Sequence, residues 1–155
     1  MDDILMFTLE KPNFDKTAFI QNFEQHCYLP PLKLEDGKPD TFLETTFSIT
    51  DTNRIDFCLK NENTQHDPTK IWRYAHFNSQ AAFQQKRATM LAVLKKVDTN
   101  SSDATQLYKS AIQKLEEFIR LNYPKKLLWT ACTTLGVNTR TRTWFEIRDY
   151  LEAMY

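Results

Sequence analysis

Residues 42–60 read FLETTFSITDTNRIDFCLK, and the fold class turns on them. In an extended chain, Leu43, Thr45, Phe47 and Ile49 share one side, and Ile55, Phe57 and Leu59 repeat the alternation. Period two is the mark of a half-buried strand. Between the two runs, Asp51-Thr52-Asn53 is turn chemistry, because short Asx side chains bond their own backbone and tolerate left-handed φ. The stretch therefore predicts a β-hairpin.

Upstream, residues 30–40 form a polar loop containing Asp36-Gly37. Before that loop, Phe19, Ile20, Phe23 and Cys27 recur at helical spacing up to Pro30-Pro31. Asp15 stands at the N-cap, with Phe14 before it and Phe19 four residues after it, the spacing of a hydrophobic staple. Residues 4–10 (ILMFTLE) read as a short strand apolar on both faces, ended by Pro12.

Downstream the character changes. Residues 61–66 (NENTQH) are a polar connection. Asp67-Pro68 is a helix start, with Ile71, Trp72 and Ala75 at helical spacing and an interruption or recap at Asn78-Ser79. Phe83, Met90, Leu94 and Val97 form the next stripe. Residues 98–103 read as a loop ending in two caps. Leu107, Tyr108, Ala111, Ile112, Leu115, Phe118 and Ile119 make the clearest amphipathic helix. Tyr123-Pro124 ends it and begins another, with Leu127, Leu128, Ala131 and Leu135, which Gly136 is placed to terminate. Thr143 and Glu146 have capping-box spacing for a last helix burying Trp144, Ile147, Leu151 and Met154. The sum is β-α-β-β followed by four or five helices. It is an α+β fold, with a small, mainly antiparallel sheet under a helical layer.

Composition bounds the rest. At 155 residues the expectation is one domain, 1–155, with a core large enough to need no staples. Its parts differ in charge. Residues 1–66 are the acidic, strand-rich part, with twelve acidic and six basic side chains. Residues 67–155 are the basic, helical part, with eight acidic and fourteen basic. Such an asymmetry speaks to partners, or to the two parts meeting each other.

Only Gly37 and Gly136 occur. Phosphate-cradling loops need several close glycines, so no Walker loop or dinucleotide fingerprint can be assembled, and no nucleophile elbow is present. The three cysteines, Cys27, Cys58 and Cys132, are odd in number and far apart. With no apolar run of signal-peptide or membrane-spanning length, the expectation is a reducing, cytoplasmic setting with free, buried thiols.

Catalytic arrangements find little support, and no cofactor is implied. His26 and Cys27 are adjacent, as are His66 and Asp67, with His76 ten residues on. Zinc sites use tighter pairs, two to five apart. Cys58 or Cys132 with a histidine has no local support as a nucleophile pair. Glu44 on one strand and Asp56 on the next, with Lys60 four residues later, miss the acid-x-Lys spacing of metal-dependent nucleases. Asp36-Gly37-Lys38 has that spacing but lies in a loop. No catalytic residue and no metal ligand is assigned.

Two binding readings remain. Glu35, Asp36, Asp40, Glu44, Asp51 and Asp56 crowd the loop and hairpin. With aromatic neighbours they suit a basic protein partner, which fits a small protein-binding module of the inhibitor or immunity type. The alternative is nucleic acid. Lys86, Arg87, Lys95 and Lys96 mark the exposed side of one helix, and Lys125, Lys126, Arg140, Arg142 and Arg148 belong to the last two. Residues 127–151 have a partial helix-turn-helix look: Ala131 and Leu135 pack, Gly136 turns, Val137 plugs the turn, Phe145 faces inward. Thr139 to Arg142 then open a second helix toward phosphates. Arg142 falls where that motif wants an apolar residue. A helical hairpin with a solvated basic face fits the same residues.

Overall fold

A computed structural model of the chain describes residues 13–27, 40–60 and 73–154. The expected strand at 4–10, the loop carrying Glu35 and Asp36, and the helix start at Asp67-Pro68 lie outside the described residues. The elements run α1 (Lys16–Cys27), β1 (Thr41–Phe42), β2 (Thr45–Ile49), β3 (Ile55–Leu59), α2 (Phe83–Thr99), α3 (Ala104–Arg120), α4 (Lys125–Thr139) and α5 (Thr143–Met154). The strands make one sheet in the order β1-β2-β3, preceded in the chain by α1 and followed by α2 to α5, an α+β arrangement. The chain divides into two compact units, Met1–Leu43 and Glu44–Tyr155.

In the first unit, the cap and staple form as the sequence predicts. Asp15 Oδ1 accepts from the amides of Thr17 at 2.9 Å and Ala18 at 3.0 Å. The Phe14 and Phe19 rings lie 5.7 Å apart, and Phe23 continues the row at 6.4 Å.

The second unit opens with the hairpin. β2 and β3 pair antiparallel in the register Thr45↔Leu59, Phe47↔Phe57, Ile49↔Ile55 on one face and Thr46↔Cys58, Ser48↔Asp56 on the other. The Thr50 and Arg54 backbones bond across the turn, where Asn53 takes a left-handed φ of 58°. β3 docks sideways on the α2–α3 connection. Ser102 gives its amide to the Phe57 carbonyl at 2.9 Å, and its hydroxyl accepts from the Phe57 amide at 3.1 Å. Leu59 is the hairpin residue that enters the core.

That core is helical: Met90, Leu94 and Val97 from α2, Leu107, Ala111, Leu115 and Phe118 from α3, Leu128 and Cys132 from α4, Trp144, Ile147 and Leu151 from α5. Trp144 is fully buried, and its indole N–H donates to Asp98 Oδ1 at 2.8 Å. Asp98, expected in a loop, is on α2, which ends two residues later than the sequence suggested. Asp103 caps α3 through the amides of Thr105 and Gln106. α3 closes in a Schellman turn. Asn122, at φ 61°, donates to Ile119, Tyr123 donates to Phe118, and the Tyr123 and Phe118 rings meet at 4.9 Å.

Two expectations are corrected. Ala75 does not continue a helix, because residues 73–82 form a non-helical strap across the end of α3. The strap's polar groups find partners outside a helix: Phe77 N–H donates to Leu121 O, and Tyr123 Oη donates to Ala75 O. The buried Lys86 ammonium donates to the carbonyls of Phe77 and Ser79, both at 2.6 Å. Gly136 does not end α4, which runs on to Thr139 and closes on Arg140 in the left-handed region. A Cβ at Gly136 would stand 2.8 Å from the Phe145 ring, so this glycine serves helix contact.

Candidate functional site

Of the acidic residues proposed as a partner surface, Glu44 and Asp56 are already paired among the described residues. Glu44 pairs with Lys96 of α2. Asp56 sits on the more covered hairpin face and takes Arg54 at 3.3 Å, and Arg54 also reaches Asp103 at 3.4 Å. Asp51, in the turn, is exposed, and Asp40 accepts from the Thr41 hydroxyl.

The hairpin offers a different surface. Its cross-strand apolar pairs share one face, and the outer part of that face is open: Ile49 is 62 % exposed, Ile55 38 % and Phe57 36 %. The alternating pattern thus selects a face correctly, but only its Leu59 end is covered by the helices.

The basic residues of the last two helices disperse. α4 and α5 lie antiparallel along their length. Near one end Gly136 abuts Phe145, and at the other Lys125 Nζ and Trp129 Nε1 both donate to Glu152 at 3.2 Å. Helices of a helix-turn-helix cross steeply instead. Thr139 and Arg140 finish α4, and Arg142 precedes α5, so these residues do not open a recognition helix. Val137 is exposed and plugs nothing. Lys126 and Arg140 are separated by about 20 Å at the α-helical rise. Arg142 extends into solvent beside Glu146. Arg148 pairs with Asp149, its guanidinium over the rings of Trp129 and Phe145. On α2, Lys86 is buried, contrary to its expected exposure.

A cleft gathers what the basic sequence pattern did not reveal. Lys60 after β3, Arg73 of the strap, Lys96 of α2 and Lys114 of α3 line a space of about 330 Å3, together with Glu44 and Tyr74. Leu59 and Val93 form apolar wall. Lys114 is nearly out of water, its side chain 3 % exposed, and its ammonium lies 2.9 Å from Glu117 Oε1. Burial, with the nearby Glu117 carboxylate, raises the Tyr74 phenol above its ordinary range, against the lowering effect of Arg73. Lys114 had a readable signal: it follows Ala111 by three and precedes Phe118 by four, so it sits within the apolar stripe of α3.

Nucleophilic and metal chemistry find no assembly among the described residues. No three His, Cys, Asp or Glu side chains are grouped to hold a metal ion. Cys132 is a core thiol whose pKa burial pushes up to about 12, so it is a poor nucleophile. Cys58 is half-buried and free.

No family model, curated protein or solved structure matches this chain. No helix among the described residues is long and apolar enough to cross a membrane.

Proposed function

We propose that the chain is a protein-binding module whose contact surface is the outer face of the β2–β3 hairpin. The observation that carries this reading is the row of Ile49, Ile55 and Phe57, which lies open on a sheet otherwise anchored to the helices. A well-packed apolar centre rimmed by polar side chains is how stable interfaces are built. Asp51 at the turn supplies a negative rim. The acidic residues of the hairpin contribute less, because Glu44 and Asp56 already face Lys96 and Arg54. An inhibitor or immunity-type protein is the form of this function we favour. It would act by covering a partner's surface, and complementary charge at Asp51 would steer a basic partner.

The test is affinity capture from the native host with the whole chain and with an Ile49→Glu, Ile55→Lys variant as paired baits. The expected outcome is a protein retained by the first bait and lost by the second, with both baits showing the same helical circular dichroism. Identical captures by the two baits would refute the hairpin as the contact surface.

A further inference from the structure

We infer that the strap, residues 73–82, is a lid on the cleft, latched by Lys86. The strap supplies Arg73 and Tyr74 to the cleft wall, and the rest of the wall comes from the hairpin end, α2 and α3. Tyr74 lies on the Phe118 ring at 5.0 Å and Phe77 meets the Tyr123 ring at 5.3 Å. Phe118 and Tyr123 are buried beneath them. Lifting the strap therefore opens the cleft and uncovers these two rings in one motion.

The strap is built to come away as a piece. It has neither helix nor strand, and residues 78–80 are exposed. Segments with few buried contacts and exposed backbone open at a lower free energy than the core. Its joint to α2 carries no side-chain cap at Ala82. What holds it is largely side-chain chemistry. The buried Lys86 ammonium gathers the Phe77 and Ser79 carbonyls, each at 2.6 Å, and stands 5.6 Å from the Phe77 ring. The Tyr123 hydroxyl donates to Ala75 O at 3.2 Å. The His76 ring adds a bridge: the Asn78 amide donates to its Nδ1 at 3.2 Å, and Asn122 Nδ2 lies 3.1 Å from its Nε2. When the strap lifts, the ammonium and both carbonyls regain water, so the latch holds by the modest net worth of its bonds and not by their full strength. Removing the ammonium alone leaves two carbonyls without their donor, which favours the open form. None of these residues belongs to the open hairpin row, so the inference stands or falls apart from the protein-binding reading.

Amide hydrogen exchange of the whole chain, resolved by NMR in low concentrations of urea, tests the lid. The Phe77 amide, which donates to Leu121 O, reports the strap, and the Ile147 amide in α5 reports the core. The Phe77 amide is expected to exchange faster than Ile147 and with little dependence on urea, the mark of a small local opening. A Phe77 amide that follows the Ile147 curve would show that the strap leaves only when the core unfolds, and would overturn the lid. Lys86→Met should speed Phe77 exchange about tenfold or more, the loss of charge-assisted bonds, and Lys86→Arg should stay closer to the parent. Tyr123→Phe, which removes only the hydroxyl bonded to Ala75 O, gives a second, milder release should Lys86→Met fail to fold. Unchanged Phe77 exchange in the folded Lys86→Met protein, or in Tyr123→Phe where that variant replaces it, would overturn the latch. The link to the cleft is read from Val93→Cys, a thiol placed on the cleft wall, with its alkylation rate followed by peptide mass mapping. The releasing substitution should raise that rate by the same factor as it raises Phe77 exchange. An alkylation rate indifferent to it would show that the strap does not gate the cleft.

Discussion

Asp103 ties three parts of the second unit together. Its carboxylate caps α3, receives Arg54 from the hairpin turn and lies beside the Ser102 that docks β3. The amide of Gln106 does most to hold its carboxyl below the usual carboxylate range; the Thr105 amide, Arg54 and Ser102 add to this, and partial burial opposes it. A lowered folded-state pKa means that the stabilisation is complete above the ordinary carboxylate range and is lost as pH falls through it. Asp103→Ala should therefore cost about 1 kcal/mol at pH 7, the usual worth of an N-cap. Urea titrations at successive pH values should show the gap to the parent narrowing below about pH 4, as the parent loses its own cap. A gap that stays constant with pH would show that the charge on Asp103 is irrelevant. This cap was legible in the sequence because capping is local. The roles of Lys86 and Lys114 were not read, although both sit on apolar stripes, four before Met90 and four before Phe118. A cation on a buried face declares that it has a partner, but the partner is chosen by tertiary contact.

At the scale of elements, the hairpin, α1 and α3 follow from period and caps, since their signals run long enough to outweigh accident. The strap at 73–82 does not. A few apolar residues at helical spacing upstream of Asn78 are too short a pattern to decide a helix, and the packing of Tyr74 and Phe77 against Phe118 and Tyr123 outweighs it. Gly136 shows the opposite ambiguity. A glycine near a helix end reads as a stop, yet here it lets α5 approach α4. Gly136→Ala gains about 1 kcal/mol in helix propensity but drives a methyl into Phe145, an overpacking that costs about 1–3 kcal/mol. The Phe145 ring is also held under Arg148, which limits its escape. Gly136→Ala should accordingly destabilise the parent, and stabilise a Phe145→Ala background. The two substitutions made singly and together, followed by urea unfolding, should give a coupling energy of about 2 kcal/mol. Simple additivity would remove the close-approach explanation.

At the scale of the whole molecule, the charge split of the sequence is crossed by ion pairs among the described residues. Glu44–Lys96 joins acid of the first part to base of the second, but Arg54–Asp103 runs the other way, and both bind hairpin to helices. The division of the chain into compact units falls between Leu43 and Glu44, away from the compositional change near residue 66. The candidate cleft was illegible because it exists only once residues 60, 73, 96 and 114 have been brought together by the helices. Every residue of the described core lies between Leu59 and Leu151. Residues 44–155 expressed alone should hence fold cooperatively, with a single sigmoidal loss of helical circular dichroism in urea. A broad, non-cooperative transition would show that the first unit completes the core.

Ser102 has a further consequence for solubility. A hairpin with an apolar outer face and a bare edge strand would be a template, ready to recruit extended segments of other chains and grow a cross-β stack. By taking both backbone groups of Phe57, Ser102 stands where the next strand would pair. The exposed face can then serve recognition through its side chains while the β3 edge is closed to polymerisation at its centre.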